Sequence, residues 1–346
     1  MGVTRVAVFG ATGYGGIELV RILLDHPQVE IGYVGGHTTV GEDVADFYRH
    51  LAGAIDMTVG EIDVAAVAEG VDVMFFALPH AVGATLVAEA LDLGKQVIDF
   101  SADCRLKNLA DYERYYEPHP RPELLEQAVY GLPELHREEI RATRLTAVPG
   151  CYPTGAILAL APACAEGLIE PEGLIVDSKS GVSGAGRSLS LTTHFTECNE
   201  SVAAYKIAQH RHTPEIVQEL SLLGAPITVT FTPHLIPMSR GILSTCYGKL
   251  TRAISLDDAV ALYREFYAGE RFVRIHDAGK LPATKQVSGS NLCDIGLAID
   301  ADAGRLIAVS AIDNLVKGLS GAAVQCMNLM LGMPEETALT AYPVWP

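Results

Sequence analysis

The sequence predicts an α/β protein: a doubly wound parallel sheet, followed by an α+β unit built on a mixed, mainly antiparallel sheet. Three observations predict it. A β-rich run, Val3-Thr-Arg-Val-Ala-Val-Phe9, feeds a glycine turn and then an apolar helical run. Buried strand patterns then alternate with helical ones up to residue 148, as parallel βαβ units require. From residue 174 onward strand-like segments dominate and helices become fewer. The expected boundaries are a first domain of residues 1–148, completed by a C-terminal helix within 318–346, and a second domain of residues 149–317 for catalysis and self-association.

The 346 residues suffice for two sizeable cores, and 49% hydrophobic with 19% charged residues fits a globular chain. A formal net charge of −17 sets a field that repels polyanions, which argues against nucleic acid or an acidic membrane as partner. An anionic small ligand would need a local cluster of Arg and Lys. The seven cysteines (Cys104, Cys151, Cys164, Cys198, Cys246, Cys293 and Cys326) are scattered, with no C-x-x-C pair, so neither a zinc site nor a disulfide framework is expected. The N-terminus runs straight into a strand without a signal-peptide pattern, and no apolar run is long enough to span a membrane. A reducing cytoplasm is the expected setting.

Taken in order, the first strand is followed by Gly10-Ala-Thr-Gly13-Tyr-Gly15-Gly16 and a helix expected over residues 17–25, stopped by Pro27. Strand, glycine turn and helix form the context of a Rossmann-type dinucleotide site, in which glycines let the backbone approach a pyrophosphate at the helix start. The spacing is G-x-x-G-x-x-G, and Gly10, Thr12, Gly13, Tyr14 and Gly15 are the candidate contacts. The second strand, residues 29–34, lacks the terminal acid that holds an NAD ribose 2′-OH. His37, Thr38 and Thr39 stand there instead, and the hydroxyls of Thr38 and Thr39 suit a 2′-phosphate, so NADP is the expected cofactor. A misplaced strand end would give that duty to Glu42 or Asp43. A buried strand over 71–78 ends at Pro79-His80, a helix covers 84–93, and a strand over 96–100 ends in Ser101-Ala-Asp-Cys-Arg105. Ser101 is a further candidate for the cofactor and Arg105 for substrate. Residues 118–122 read as irregular surface chain.

A strand over 144–148, a Pro149-Gly150 turn and a helix from Thr154 to about Glu166 place Cys151 just ahead of a helix N-terminus. Unpaired N–H groups there favour negative charge and promote a thiolate. The alternative is a small buried cysteine filling a turn. In the second domain, strands are expected near residues 174–180, 227–233, 242–250, 291–300 and 305–313. Helices are expected near 215–223 and 256–267, with a last one over 319–331 packing back on the first domain.

Three stretches bear on Cys151. Lys179-Ser-Gly-Val-Ser183-Gly-Ala-Gly-Arg187 has the composition of an anion nest with a guanidinium, or of a flexible hairpin loop. His210-Arg211-His212-Thr-Pro-Glu215 offers two candidate acid–base histidines and an arginine. His212 is preferred because it precedes the expected N-cap Thr213. Asn314-Leu-Val-Lys-Gly318 either caps the last helix or meets the nicotinamide.

These motifs, together with Asp99-Phe-Ser-Ala-Asp-Cys-Arg105 and Pro149-Gly-Cys-Tyr-Pro-Thr154, resemble in order the N-acetyl-γ-glutamyl-phosphate reductase family of arginine biosynthesis. Thr146 departs from the aliphatic residue usual there. The resemblance implies an NADP-linked, aspartate-semialdehyde-dehydrogenase-like enzyme that reduces an acyl phosphate, releases phosphate and forms a homo-oligomer, dimer or tetramer. The residues' own chemistry agrees, with Cys151 as the expected nucleophile, His212 or His210 as acid–base, Arg187 and Arg211 as contacts for the substrate's anionic groups, Arg105 as the alternative to them, and Ser183 as a further substrate contact. Aminoadipyl-phosphate reduction in lysine biosynthesis is the related alternative. A regulator without catalysis and a cysteine hydrolase are the readings from other classes.

Overall fold

The computed structural model describes residues 2–345 and divides into two compact units: the chain up to Pro149 with Leu319–Thr340, and Gly150–Gly318 with the residues after 340. The expected assignment of 318–346 to the first domain therefore stops at Thr340. Beyond it the chain belongs to the second unit, where the Val344 N–H donates to the Ser288 carbonyl at 2.9 Å and Lys285 lies over the Trp345 ring.

The first unit carries six parallel strands: β1 (Thr4–Phe9), β2 (Val29–Gly35), β3 (Val73–Phe76), β4 (Gln96–Asp99), β5 (Val129–Tyr130) and β6 (Leu145–Ala147). Their order is β2-β1-β3-β4-β6-β5, so the chain reverses its direction of addition between β1 and β3. Open parallel sheets bind ligands at the carboxyl ends of the strands flanking such a reversal. Residues 118–122 carry no helix or strand, as expected, and the chain between them and β6 contains β5 and the helix Pro133–Ala142, which starts on a proline at its first turn. The last helix, Gly321–Met330, is buried along its whole length and packs on helices Tyr14–Leu24 and Pro133–Ala142. Its polar residues are matched. The His26 ring accepts from the Gln28 N–H at Nδ1, which leaves Nε2 to donate to Asn328 Oδ1 at 3.0 Å. Thr146, the departure from family pattern, donates its buried hydroxyl to Met330 Sδ at 3.2 Å.

The second unit is built on seven strands: β7 (Leu174–Gly181), β8 (Ala203–Ala204), β9 (Val229–Ile236), β10 (Ile242–Lys249), β11 (Val273–Ile275), β12 (Cys293–Asp300) and β13 (Arg305–Ile312). They follow the order β11-β12-β13-β10-β7-β9-β8, with only β11–β12 and β7–β9 parallel. Helices Cys151–Ala165, Thr213–Ser221 and Leu256–Phe266 form the accompanying layer. Cys151–Ala165 is apolar all round and buried at every position from Tyr152 to Cys164, as a central helix should be. Small hydroxyl residues let it come close to the sheet. Ser178, Ser244 and Ser310 lie side by side across β7, β10 and β13, and Ser310 donates to the Gly155 carbonyl at 2.8 Å. Pro162 within the helix lacks the N–H that would serve the Leu158 carbonyl, and the Tyr267 hydroxyl supplies that donor at 2.6 Å.

Candidate active site

The glycine turn of the first unit is required by close contact. Gly10 adopts φ +82°, and a Cβ there would lie 2.2 Å from the Ala77 carbonyl oxygen. A Cβ at Gly16 would lie 2.1 Å from the Gly10 oxygen, so Gly16 is the residue that packs the helix onto the turn. Gly13 is the N-cap of helix Tyr14–Leu24, which begins three residues before the expected Ile17, offers no side-chain cap and has no acid in its first turn. The positive end of this helix is therefore left for a ligand. Tyr14 is exposed at its first position, and the Gly15 carbonyl accepts from the Ser320 hydroxyl at 2.8 Å.

Thr12 and Thr39 are buried with their hydroxyls 3.2 Å apart, while Thr38 and His37 are exposed. No acid stands on β2 beyond Glu30, which is near its start, so the strand end fits a phosphate better than a bare ribose diol. Of the expected contacts, Ser101 fits least. It is fully buried, donates to Asp99 Oδ2 at 2.7 Å and accepts from the Asp103 N–H at 3.1 Å, so its hydroxyl is spent inside the loop. Arg105 is likewise buried, donating to the Phe100 carbonyl at 2.8 Å.

In the second unit, Cys151 is half-buried and is the first residue of its helix, not the residue before it. The helix starts three residues earlier than expected because Pro153 falls in the first turn, where no N–H is needed. Gly150 is the N-cap and offers no side chain, so the first-turn N–H groups, those of Cys151 and Tyr152, have no acceptor within the helix. Two glycines enclose the thiol's residue. A Cβ at Gly318 would lie 2.9 Å from Cys151 Cβ, and one at Gly150 would lie 2.6 Å from His212 Nε2. His212 therefore packs directly on the residue before the cysteine.

His212 is itself the N-cap of helix Thr213–Ser221; Thr213, expected in that role, is the first helical residue. Glu215, a residue to which the sequence reading assigned no role, organises this corner. Only 1% exposed, it accepts the Gly150 N–H at 2.9 Å through one oxygen, and its other oxygen lies 4.0 Å from His212 Nε2. The motif offered a signal: an acid three residues after a histidine on a helix start shares its face.

His210 sits differently. Its ring is surrounded by Tyr152, Tyr205, His212 and Phe231, and its Nδ1 accepts the His212 N–H at 3.1 Å. Burial, with Arg211 and Lys206 nearby, pulls its pKa down to about 3, so it stays neutral. Tyr152, which the sequence reading quoted beside Cys151 without a role, and Tyr205, absent from it, are joined by their hydroxyls at 3.2 Å, and Tyr152 donates to the His234 carbonyl at 3.1 Å. Burial raises both phenols, Tyr205 to about 12.

The expected anion nest is corrected by its hydrogen bonds. The N–H groups of Gly181, Val182 and Ser183 donate to the carbonyls of Gly241, Met238 and Ser239, so these donors extend the sheet. Ser183 Oγ accepts from Asn314 Nδ2 at 3.0 Å, and Asn314 Oδ1 accepts the Gly241 N–H at 2.7 Å. Asn314 thus fastens two loops together; both ends of its amide are engaged within the second unit. Arg187 is exposed beyond Gly186 and Arg211 is half-buried beside the histidines, while Lys179 pairs with Asp177 at 3.0 Å. Among the described residues, no group of His, Cys, Asp and Glu is arranged to hold a metal ion.

Comparison with known proteins assigns both units to one family of enzymes. Residues 5–143 match the family model for the semialdehyde dehydrogenase NAD binding domain, and residues 151–314 match that for the semialdehyde dehydrogenase dimerisation domain. An N-acetyl-gamma-glutamyl-phosphate reductase of Symbiobacterium thermophilum is 52% identical over 346 residues, covering 99% of both chains. That of Geobacter metallireducens is 51% identical over 344 residues with the same coverage. Among solved structures, aspartate semialdehyde dehydrogenase II of Vibrio cholerae superposes with a TM-score of 0.72 at 18% identity, over 95% of this chain and 99% of its own. The Candida albicans aspartate semialdehyde dehydrogenase solved with NADP gives 0.71 at 16% identity, over 95% and 98%. These two structures are similar in fold.

Proposed function

The chain belongs to the N-acetyl-gamma-glutamyl-phosphate reductase family, and on that premise we propose that it reduces N-acetyl-L-glutamyl 5-phosphate reversibly to N-acetyl-L-glutamate 5-semialdehyde and phosphate, with NADPH, in arginine biosynthesis. The observation that carries the chemistry is Cys151 at an uncapped helix start beside Gly150 and His212.

His212 takes the proton of the Cys151 thiol, and the thiolate attacks the acyl carbon. The N–H groups of Cys151 and Tyr152 face the tetrahedral oxyanion. The C–O bond to phosphate breaks, leaving a thioester, and the departing phosphate takes the proton from His212. Bound NADPH supplies the hydride that reduces the thioester carbonyl. The resulting thiohemiacetal oxyanion collapses, the C–S bond breaks and the sulfur leaves as thiolate, and a proton from solvent restores the thiol for the next turn. Glu215 holds the Gly150 backbone and lies against His212, tying the ring to the residue before the cysteine. Gly10, Thr12, Gly13, Tyr14 and Gly15 hold the dinucleotide, with Thr38 and Thr39 toward the 2′-phosphate. Arg187 and Arg211 serve the substrate's anionic groups. His210, kept neutral and walled by aromatic rings, is the support of His212.

Self-association fits the second unit, whose matching family model is described as a dimerisation domain, and whose exposed Leu189, Leu191, Phe195 and Val202 offer apolar surface. No helix among the described residues is long and apolar enough to cross a membrane, which suits a cytoplasmic biosynthetic enzyme. The test is purified protein with N-acetyl-L-glutamate 5-semialdehyde, NADP and phosphate. NADPH should form only when phosphate or arsenate is present, and more slowly with NAD or the one-carbon-longer semialdehyde. Sustained turnover without phosphate defeats the thioester mechanism.

A further inference from the structure

We propose that Asp103 is a positioning residue for the cofactor: it holds Ala81 in a left-handed conformation and so sets the loop of residues 78–82 at the cofactor edge of the first unit. The proposal rests on the reading that this unit binds NADPH.

The loop leaves β3 at the point where the strand order reverses. Ala77 donates its N–H to the Phe9 carbonyl at 2.8 Å, and the missing Cβ of Gly10 would touch the Ala77 oxygen. The loop therefore lies against the glycine turn, on the crevice where doubly wound sheets take their ligands. Pro79 and Val82 are exposed and Leu78 is half-buried, giving the crevice an apolar wall. Between them Ala81 has φ +62°, a region that residues with a Cβ enter only at a cost.

What holds it there is visible. The Ala81 N–H donates to both carboxylate oxygens of Asp103, at 3.0 and 2.8 Å. The next residue back is fastened too, with His80 Nδ1 accepting the Ala102 N–H at 2.9 Å. Asp103 is fully buried, oriented by the Tyr112 hydroxyl at 2.7 Å and by its own N–H to Ser101 Oγ. Burying a carboxylate is expensive, and hydrophobic packing alone has no need of one here. Its partners show what it secures: a strained turn at the cofactor edge. Ser101 acquires a role in the same chain of contacts, as the residue that places Asp103.

The test is NADPH titration and steady-state kinetics on wild type, Asp103→Asn, Ala81→Gly, their combination and Tyr112→Phe. Asp103→Asn turns an amide donor toward the Ala81 N–H and should raise the Kd and KM for NADPH about tenfold. The kcat at saturating NADPH and the KM for the semialdehyde should stay within about twofold. Ala81→Gly should restore NADPH binding in the Asp103→Asn background to within about threefold of wild type, because glycine holds φ > 0 without help. Tyr112→Phe, which spares the Ala81 bond but removes one of the two bonds that orient Asp103, should raise the NADPH Kd by less than Asp103→Asn does. An unchanged Kd in Asp103→Asn, no rescue by Ala81→Gly, or a parallel loss of kcat and both KM values overturns the proposal. Should Asp103→Asn not fold, Ala81→Val is expected to raise the NADPH Kd about tenfold by excluding the left-handed turn, and an unchanged Kd there overturns it equally. Wild type that fails to bind NADPH overturns the functional reading itself. Wild type that binds it, with Asp103→Asn unaffected, overturns this proposal alone.

Discussion

Two helix starts, Tyr14–Leu24 in the first unit and Cys151–Ala165 in the second, use the same local device in opposite surroundings. Each follows a parallel strand, takes a glycine as N-cap, lacks a side-chain cap and carries no acid in its first turn. Each therefore has first-turn N–H groups with no acceptor in its own helix, and at the second the Glu215 carboxylate takes up the Gly150 N–H just before them. The first opens on an exposed Tyr14, suited to a mobile, highly charged ligand that arrives and leaves. The second opens on the half-buried Cys151, with Gly318 against its Cβ and His212 against the preceding Gly150, suited to charge that develops on one atom during reaction. The comparison teaches that a helix terminus supplies the field, while the packing around it decides whether that field binds or reacts.

The comparison breaks most sharply at the thiol. Cys151→Ser should lower kcat by about a thousandfold or more and abolish the stoichiometric NADPH burst in the oxidative direction, while NADPH binding stays unchanged. Mass spectrometry of quenched wild type should place the acyl adduct on Cys151. An adduct elsewhere refutes the assignment. Gly150→Ala comes next. Its Cβ would displace the His212 ring from the residue before the cysteine, so kcat should fall about a hundredfold with the cofactor KM preserved. If kcat survives, His212 does not act from its observed place.

A milder change probes the other helix. Tyr14→Glu puts an acid in the first turn facing the ligand and should raise the KM for NADPH about tenfold, with kcat held and the penalty shrinking as salt is added. A kcat defect without a KM change would mean that this helix start is not a binding site. The smallest effect expected on activity concerns His210. Its folded pKa of about 3 lies below the unfolded value of 6.5, so the unfolded chain binds the extra proton first. Stability from the neutral ring is complete above pH 6.5 and is lost as pH falls from there toward 3. Unfolding midpoints measured across that range should fall less steeply in His210→Phe than in wild type. Equal slopes would show that His210 is not the titrating group.

The site was legible where chemistry and chain neighbourhood coincide. Cys151 between a strand and an apolar run, the glycine turn after β1 and the missing acid after β2 are all local patterns. Glu215, Tyr152 and Tyr205 were not legible as a set, because what makes them matter is approach across sequence distance. Glu215 reaches the Gly150 N–H from another helix, and Tyr205 reaches Tyr152 from the segment beside β8. Ser101 and the 181–187 loop erred in the other direction. Their polar composition suggested ligand contacts, and hydrogen bonds inside the protein consume it.

By itself the sequence determined the division into a parallel and a mixed sheet, most of the strands and helices, and the candidacy of Cys151 and of the glycine turn, because periodicity, glycine spacing and helix-start residues act within a few positions of one another. Tertiary structure decided where the helices begin and which groups face them. Tyr14 and Cys151 each start a helix three residues before intrinsic preference would place it, through glycines and a proline that disfavour helix in isolation. Packing against neighbours outweighs those local costs. Contacts between residues far apart in the chain, such as Glu215 with Gly150 or Asp103 with Ala81, exist only once that packing is complete.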